Sequence, residues 1–177
     1  MRGYTSPPRT GQSFREKKFL ESTAKLQYNY TLFYSDTDIA NSGAAETTLF
    51  SYTIPGKLIS GAGESIRYKF VGITPGNANL KNIKIKLGSS TIFQIVSADP
   101  ALTEWMIQGE IFSGNRSNTI QKTSHLWTAD GGVTSYFQYG QYGEDLSQED
   151  TLVLTAQGVA SFDVGLSVVK GELLLAP

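Results

Sequence analysis

From residue 26 onward, apolar positions recur at every second residue, in short runs separated by turn formers. Thr48, Phe50, Tyr52 and Ile54 share one face of a run over 47–54. Over 65–73, Ile66, Tyr68 and Phe70 face one way and Arg67 and Lys69 the other. Over 82–87, Ile83, Ile85 and Leu87 alternate with Lys84 and Lys86. A period of two belongs to a half-buried strand, because successive side chains of an extended chain point to opposite faces of a sheet. Further strands are predicted over 26–34, 91–96, 102–112, 119–128, 133–142, 151–156 and 163–175, with a short edge at 57–60. Loops are predicted at 35–38, 41–43, Pro55-Gly56, 74–77, Asp99-Pro100, 114–118 and 143–150, with a hairpin signal at Asp130-Gly131-Gly132. About eight to ten strands at this spacing predict an all-β fold, an antiparallel β-sandwich of Greek-key or jelly-roll type. No helix of ordinary length is predicted after residue 25.

Residues 1–25 break the pattern. Pro7-Pro8 opposes helix and ladder alike, and Ser6, Thr10, Gly11 and Ser13 are turn formers. A short helix over 14–24 is the one regular element this stretch could form. The segment reads as an extended N-terminal arm ahead of a sandwich domain over 26–177. It cannot bury enough apolar surface to order itself alone.

Composition sharpens this division. The chain has 177 residues, room for one domain with a substantial core, and 18% of them are charged, below the usual quarter. Its 18 Gly suit tight turns, and with no Cys, disulfides and thiolate chemistry are excluded. The arm carries Arg2, Arg9, Arg15, Lys17, Lys18 and Lys25 against Glu16 and Glu21, a balance of +4, and the remainder stands at −5. A basic tail on an acidic body has three readings, a clamp on an acidic protein surface, a nucleic-acid contact or a solvated tail, and the protein clamp is the one expected. Arg2, Arg9, Phe14, Arg15, Lys17, Lys18 and Phe19 are its candidate contact residues. The body has no basic stripe and its net charge repels a duplex, so nucleic acid is not expected. No stretch approaches the ~20 apolar residues of a membrane span. No apolar run follows the charge at the N-terminus, so no secretory signal is read and use without export is expected.

Candidate chemistry is sparse. The one histidine, His125, falls in a strand, and no Gly-x-Ser-x-Gly elbow presents a nucleophile beside it. Glu144, Asp145, Glu149 and Asp150 could pair as glycan-cleaving carboxylates or hold Ca²⁺, but all lie in one loop and match no EF-hand spacing, so a solvated acidic loop is expected. Gly61-Ala62-Gly63 and Gly131-Gly132 lack the Gly-Lys-Ser/Thr of a phosphate cradle. No metal, no cofactor and no enzymatic activity are expected. Trp105, Trp127, Tyr136, Phe137, Tyr139 and Tyr142 resemble a sugar platform, and core packing is the commoner fate of such residues. Tyr136, Phe137, Tyr139 and Tyr142 are the candidate exposed aromatic contact surface.

Several segments together carry a resemblance: the run 47–58 ending in Ile54-Pro55-Gly56-Lys57-Leu58, then Gly61-Ala62-Gly63-Glu64-Ser65-Ile66-Arg67, then 83–93, then Trp105-Met106-Ile107-Gln108-Gly109-Glu110-Ile111, and the small-residue stretch around Gly158. Over roughly residues 45–177 the chain resembles the jelly-roll modules of tailed-bacteriophage structural proteins, found in capsid decoration (cement) proteins and in head and tail fibres. The resemblance implies a virion protein, made in the host cytoplasm, that forms a homotrimer and binds the major capsid protein or another virion protein. A fibre tip normally follows a shaft, and none precedes this module. A decoration protein that stabilises the capsid through its body and arm is therefore the first expectation. A receptor- or carbohydrate-binding fibre tip is the second.

Overall fold

The structure is a computed structural model and describes residues 29–59, 64–113, 120–130 and 134–175. The arm, with Arg2, Arg9, Phe14, Arg15, Lys17, Lys18 and Phe19, lies outside the described residues, as do the boundary at 25/26, Gly61-Ala62-Gly63 and Gly131-Gly132.

Among the described residues eleven strands form: β1 (Asn29–Ser35), β2 (Ile39–Ser42), β3 (Thr47–Ile54), β4 (Ser65–Ile73), β5 (Lys81–Leu87), β6 (Ser90–Ser97), β7 (Glu104–Ser113), β8 (Gln121–Ala129), β9 (Thr134–Tyr142), β10 (Asp150–Gln157) and β11 (Ser161–Leu174). They make a seven-stranded sheet, ordered β1-β11-β4-β7-β8-β9 with β2 also on β11, and a four-stranded sheet, β3-β10-β5-β6. All pairings are antiparallel. The pairs β1·β11, β3·β10, β4·β7 and β5·β6 are nested in the sequence, as one long hairpin wound over itself. That is a jelly roll, with β8 and β9 appended to its larger sheet.

Two expectations change. The segment 57–59 is a turn, with Lys57 at φ 65°, and its backbone is held by Lys57 N–H donating to Leu146 O at 2.8 Å. The expected loop at 41–43 begins inside β2, a strand too short and polar to show a period.

The core lies between the sheets and takes inward residues of β3 to β8, β10 and β11, among them Ile54, Ile66, Phe70, Ile85, Leu87, Ile107, Ile111, Leu152 and Leu154. Each such side chain contributes about 1.5–3 kcal/mol on burial. One row crosses the inner face of the large sheet from strand to strand as Phe33, Gly171, Tyr68, Gly109, His125 and Gln138. Rings and glycines alternate along its first five places. A Cβ on Gly171 would lie 2.2 Å from Phe33 Cζ, and one on Gly109 would lie 2.3 Å from Tyr68 Cζ. The rings therefore lie flat over the glycines beside them. Trp105 covers Gly72 in the same way and stacks on Trp127 with ring centroids 5.9 Å apart. Both tryptophans are buried core residues.

Candidate functional site

His125 is the one histidine of the chain. It lies on the inner face of β8, 1% exposed, with Phe93 and Tyr68 packed on its ring. A 2.5 Å hydrogen bond joins its Nε2 to Tyr68 Oη, and its Nδ1 has no partner among the described residues. Desolvation pushes the imidazole down to about 4 and raises the Tyr68 phenol well above its usual range. His125 is a neutral core group at neutral pH. The acidic loop divides likewise. Asp145 caps its own turn, its carboxylate accepting from Ser147 N–H at 2.9 Å, and is held below the usual carboxylate range by its hydrogen bonds to Ser147. Asp150 is raised, mainly by desolvation, with Glu144 adding to the effect. Glu144 and Asp150 both approach Gly88 at the β5–β6 turn. Among the described residues, no group of three His, Cys, Asp or Glu side chains is placed to hold a metal.

Strand pleating splits the aromatic segment of β9. Phe137 and Tyr139 project from the outer face of the large sheet, 64% and 57% exposed. Tyr136 is also exposed but lies on the opposite face, across from Trp127. Tyr142 leaves the candidate surface. It is half-buried against the core, and its hydroxyl donates to Ile92 O at 3.0 Å, tying β9 to the smaller sheet. Period-two alternation rules out one continuous row through all four residues.

A shallow groove of about 410 Å³ crosses the outer face. Register places Tyr34, Lys170, Lys69, Gln108, Leu126 and Phe137 in one row, and Thr31, Glu172, Arg67, Glu110, Ser124 and Tyr139 in the next. Gly109 and the strand segments at Tyr68 and His125, two residues whose side chains are buried on the inner face, also line it. Lys170 pairs with Glu172 at 2.7 Å, and Arg67 with Glu110 at 3.5 Å. Lys69 has no carboxylate in ion-pair range among the described residues and sits directly opposite Lys170, a like-charge pair that an anionic group would relieve. The groove is lined by three cations, Arg67, Lys69 and Lys170, against two carboxylates, Glu110 and Glu172, and one of its rows has an exposed aromatic at each end.

The second built surface is the β10–β11 turn. Phe162 is 74% exposed and takes φ 64°, a left-handed conformation that costs a bulky residue about 1–2 kcal/mol. The residue beside it holds it there. The buried Asp163 carboxylate accepts from Val159 N–H at 2.8 Å, Ala160 N–H at 2.7 Å, and the amides of Asn77 and Asn79 at 3.0 Å. Burial alone would raise its pKa, but these donors outweigh it and hold the group at about 2. Buried Lys81 donates to Asn77 O at 2.6 Å and to Asn77 Oδ1 at 3.0 Å, so one amide bridges a buried cation and a buried anion. Buried Asn41 donates to Ala160 O at 2.8 Å and accepts from Val164 N–H at 2.9 Å. Gly158 has no room for a Cβ, which would lie 2.4 Å from Asp163 Cβ. Exposed Val159, Leu80, Ile73 and Ile39 sit on the turn and on the segments that hold it. None of this was singled out from the sequence, where 74–77 reads as an ordinary turn and Asp163 as the start of a strand.

Comparison with known proteins adds little. No family model matches the chain, and no curated protein matches it. Similar solved structures include a lectin from Bauhinia forficata in complex with GalNAc, at 7% identity over 84% of this chain and 97% of that one, TM-score 0.36. Lectin II from Ulex europaeus has 8% identity over 85% and 98%, TM-score 0.37. The infectious bursal disease virus Gx strain structure has 13% identity over 99% of this chain and 47% of that one, TM-score 0.28. Likeness at this level identifies neither family nor ligand. The jelly-roll assignment rests on strand order.

Proposed function

We propose that this protein is a virion structural protein that works by adhesion. More specifically, it is a capsid decoration protein that binds and stabilises a shell through its jelly-roll body and N-terminal arm. The virion part rests on the sequence resemblance over residues 45–177. The adhesive part is carried by one observation: a network of Asn77 with buried Asp163, Lys81 and Asn41 holds Phe162 in a strained conformation with its ring in water. An aromatic presented on a rigid turn, with apolar neighbours around it, is the kind of anchor that dominates protein interfaces. The role needs no catalysis, and the one histidine is committed to the core. The full chain is expected to co-sediment with purified shells of the virus that encodes it. Phe162→Ala should weaken that binding at least tenfold without changing thermal stability. Absence of the chain from purified particles sinks the virion reading. Undiminished binding by Phe162→Ala sinks the anchor.

The groove favours a second reading, a carbohydrate- or receptor-binding fibre module. A sugar ring would stack on Phe137, and an acidic substituent would meet Lys69. Retention of acidic glycans on an array by the full chain, lost in Phe137→Ala and Lys69→Ala, would support it over shell binding.

A further inference from the structure

Soluble proteins protect sheet edges with charges, prolines, short strands or bulges, because an exposed edge is a template for another strand. Here the charges are distributed the other way. The five edge strands, β1, β2, β3, β6 and β9, contain no Lys, Arg, Asp, Glu or Pro. Every interior strand, β4, β5, β7, β8, β10 and β11, contains at least one charged residue. Four of the five edges are guarded by irregularity instead. The ladders of β1, β2, β3 and β6 with their neighbours each contain a register shift. The β9 ladder contains none and runs unbroken from Gln121↔Tyr142 to Ala129↔Thr134. At nine residues β9 is also the longest edge, and among the described residues its far side bonds to no other strand.

We propose that β9 is a self-pairing edge. Two copies of this chain join antiparallel along it about a two-fold axis at Gln138, fusing their larger sheets into one. The sequence of β9 fits itself in that register. Phe137 faces Tyr139 of the second copy, and Tyr139 faces its Phe137, two aromatic cross-strand pairs on the outer face. Tyr136 falls opposite Gly140, so no two bulky groups collide on the other face, and Ser135 falls opposite Gln141. No like charges meet. The side chains of Phe137 and Tyr139 stand perpendicular to the sheet, so pairing leaves the Lys69 region of the groove open. The pairing goes beyond shell attachment and can hold whether or not the chain is a decoration protein.

Sedimentation of the full chain over a wide range of concentration tests this. The wild type should pass from monomer to dimer mass as concentration rises. F137K/Y139K and F137E/Y139E each place like charges across the seam and should stay at monomer mass. An equal mixture of the two should regain dimer mass, because opposite charges then meet. Both positions are well exposed, so the melting temperature should change little. With no native cysteine, Gln138→Cys gives an independent readout: an oxidised intermolecular dimer that Ser135→Cys does not form. A wild type that stays monomeric throughout overturns the proposal. So does an association, to dimer or trimer, that the charge variants leave untouched, or a mixture that stays monomeric.

Discussion

Lowering the pH from 7 to 5 is expected to weaken the fold, chiefly through His125. In the unfolded chain its imidazole takes up a proton near 6.5, whereas in the folded core desolvation holds it down to about 4. Between those values the unfolded state binds more protons than the native state, so stability rises with pH and is lost as pH falls. With one pKa unit worth about 1.4 kcal/mol, the loss is about 2 kcal/mol by pH 5 and about 3 kcal/mol by pH 4. For a chain of this size 2 kcal/mol lowers the melting temperature by about 4–8 °C. Asp163 and Glu46, both held at about 2, stay ionised throughout this range. Asp150 is raised and acts in the opposite sense, since its neutral form is favoured by folding. The measurement is urea unfolding at pH 7 and pH 5 for the wild type and His125→Gln. The variant is less stable at pH 7 but should lose most of the pH dependence. Because His125 is the only histidine, its single imidazole resonance reports the native pKa directly. A native titration near 6.5, or an unchanged pH dependence in His125→Gln, would refute the reasoning.

Two further outcomes follow from the packing and from the buried network. Gly109→Ala should cost about 1–3 kcal/mol by denaturant midpoint, because its Cβ would lie 2.3 Å from the Tyr68 ring. Combined with Tyr68→Leu it should cost clearly less than the sum of the two single changes. Asp163→Ala should cost about 3 kcal/mol by urea unfolding, since it orphans two backbone N–H groups and the amide donors of Asn77 and Asn79, the residues whose oxygens hold buried Lys81. The wild-type carboxylate should show the matching acid limb: its contribution, up to about 2 kcal/mol before solvent screening, is present above pH 4 and lost as pH falls towards 2.

Much of the fold could be read from the chain because period-two alternation is a local property. The bounds of β3 and β4 match the expected runs, and the other long strands differ at their ends by a few residues. β2 was hidden because its stability comes from β11, more than a hundred residues away, and not from its own four residues. The same non-locality hid the two surfaces now of interest. Asp163 becomes a buried hub only when the turn at 158–162 closes over Asn77 and Asn79. The ring-over-glycine row needs the register of six strands, and even Tyr68 and Gly109 become neighbours only once β4 pairs with β7, about forty residues away. The division of β9 into two faces was different, since alternation alone separates Tyr136 and Tyr142 from Phe137 and Tyr139. Whether an edge is free depends on which strand ends the sheet, and composition alone does not reveal that.

The two surfaces lie at opposite sides of the larger sheet. β9 forms one edge, and Phe162 sits at the start of β11, beside β2 at the other. A pair joined along β9 therefore leaves both Phe162 turns free and far apart. Attachment to a repeating shell would then be bivalent, the second contact forming at a high effective concentration set by the rigid fused sheet. A modest affinity at each turn would suffice for stable decoration. It follows that F137K/Y139K, which leaves Phe162 and its supports intact, should still reach the shell but dissociate faster than the wild type. Equal dissociation rates would mean that each copy attaches alone, and that the edge and the turn serve unrelated ends.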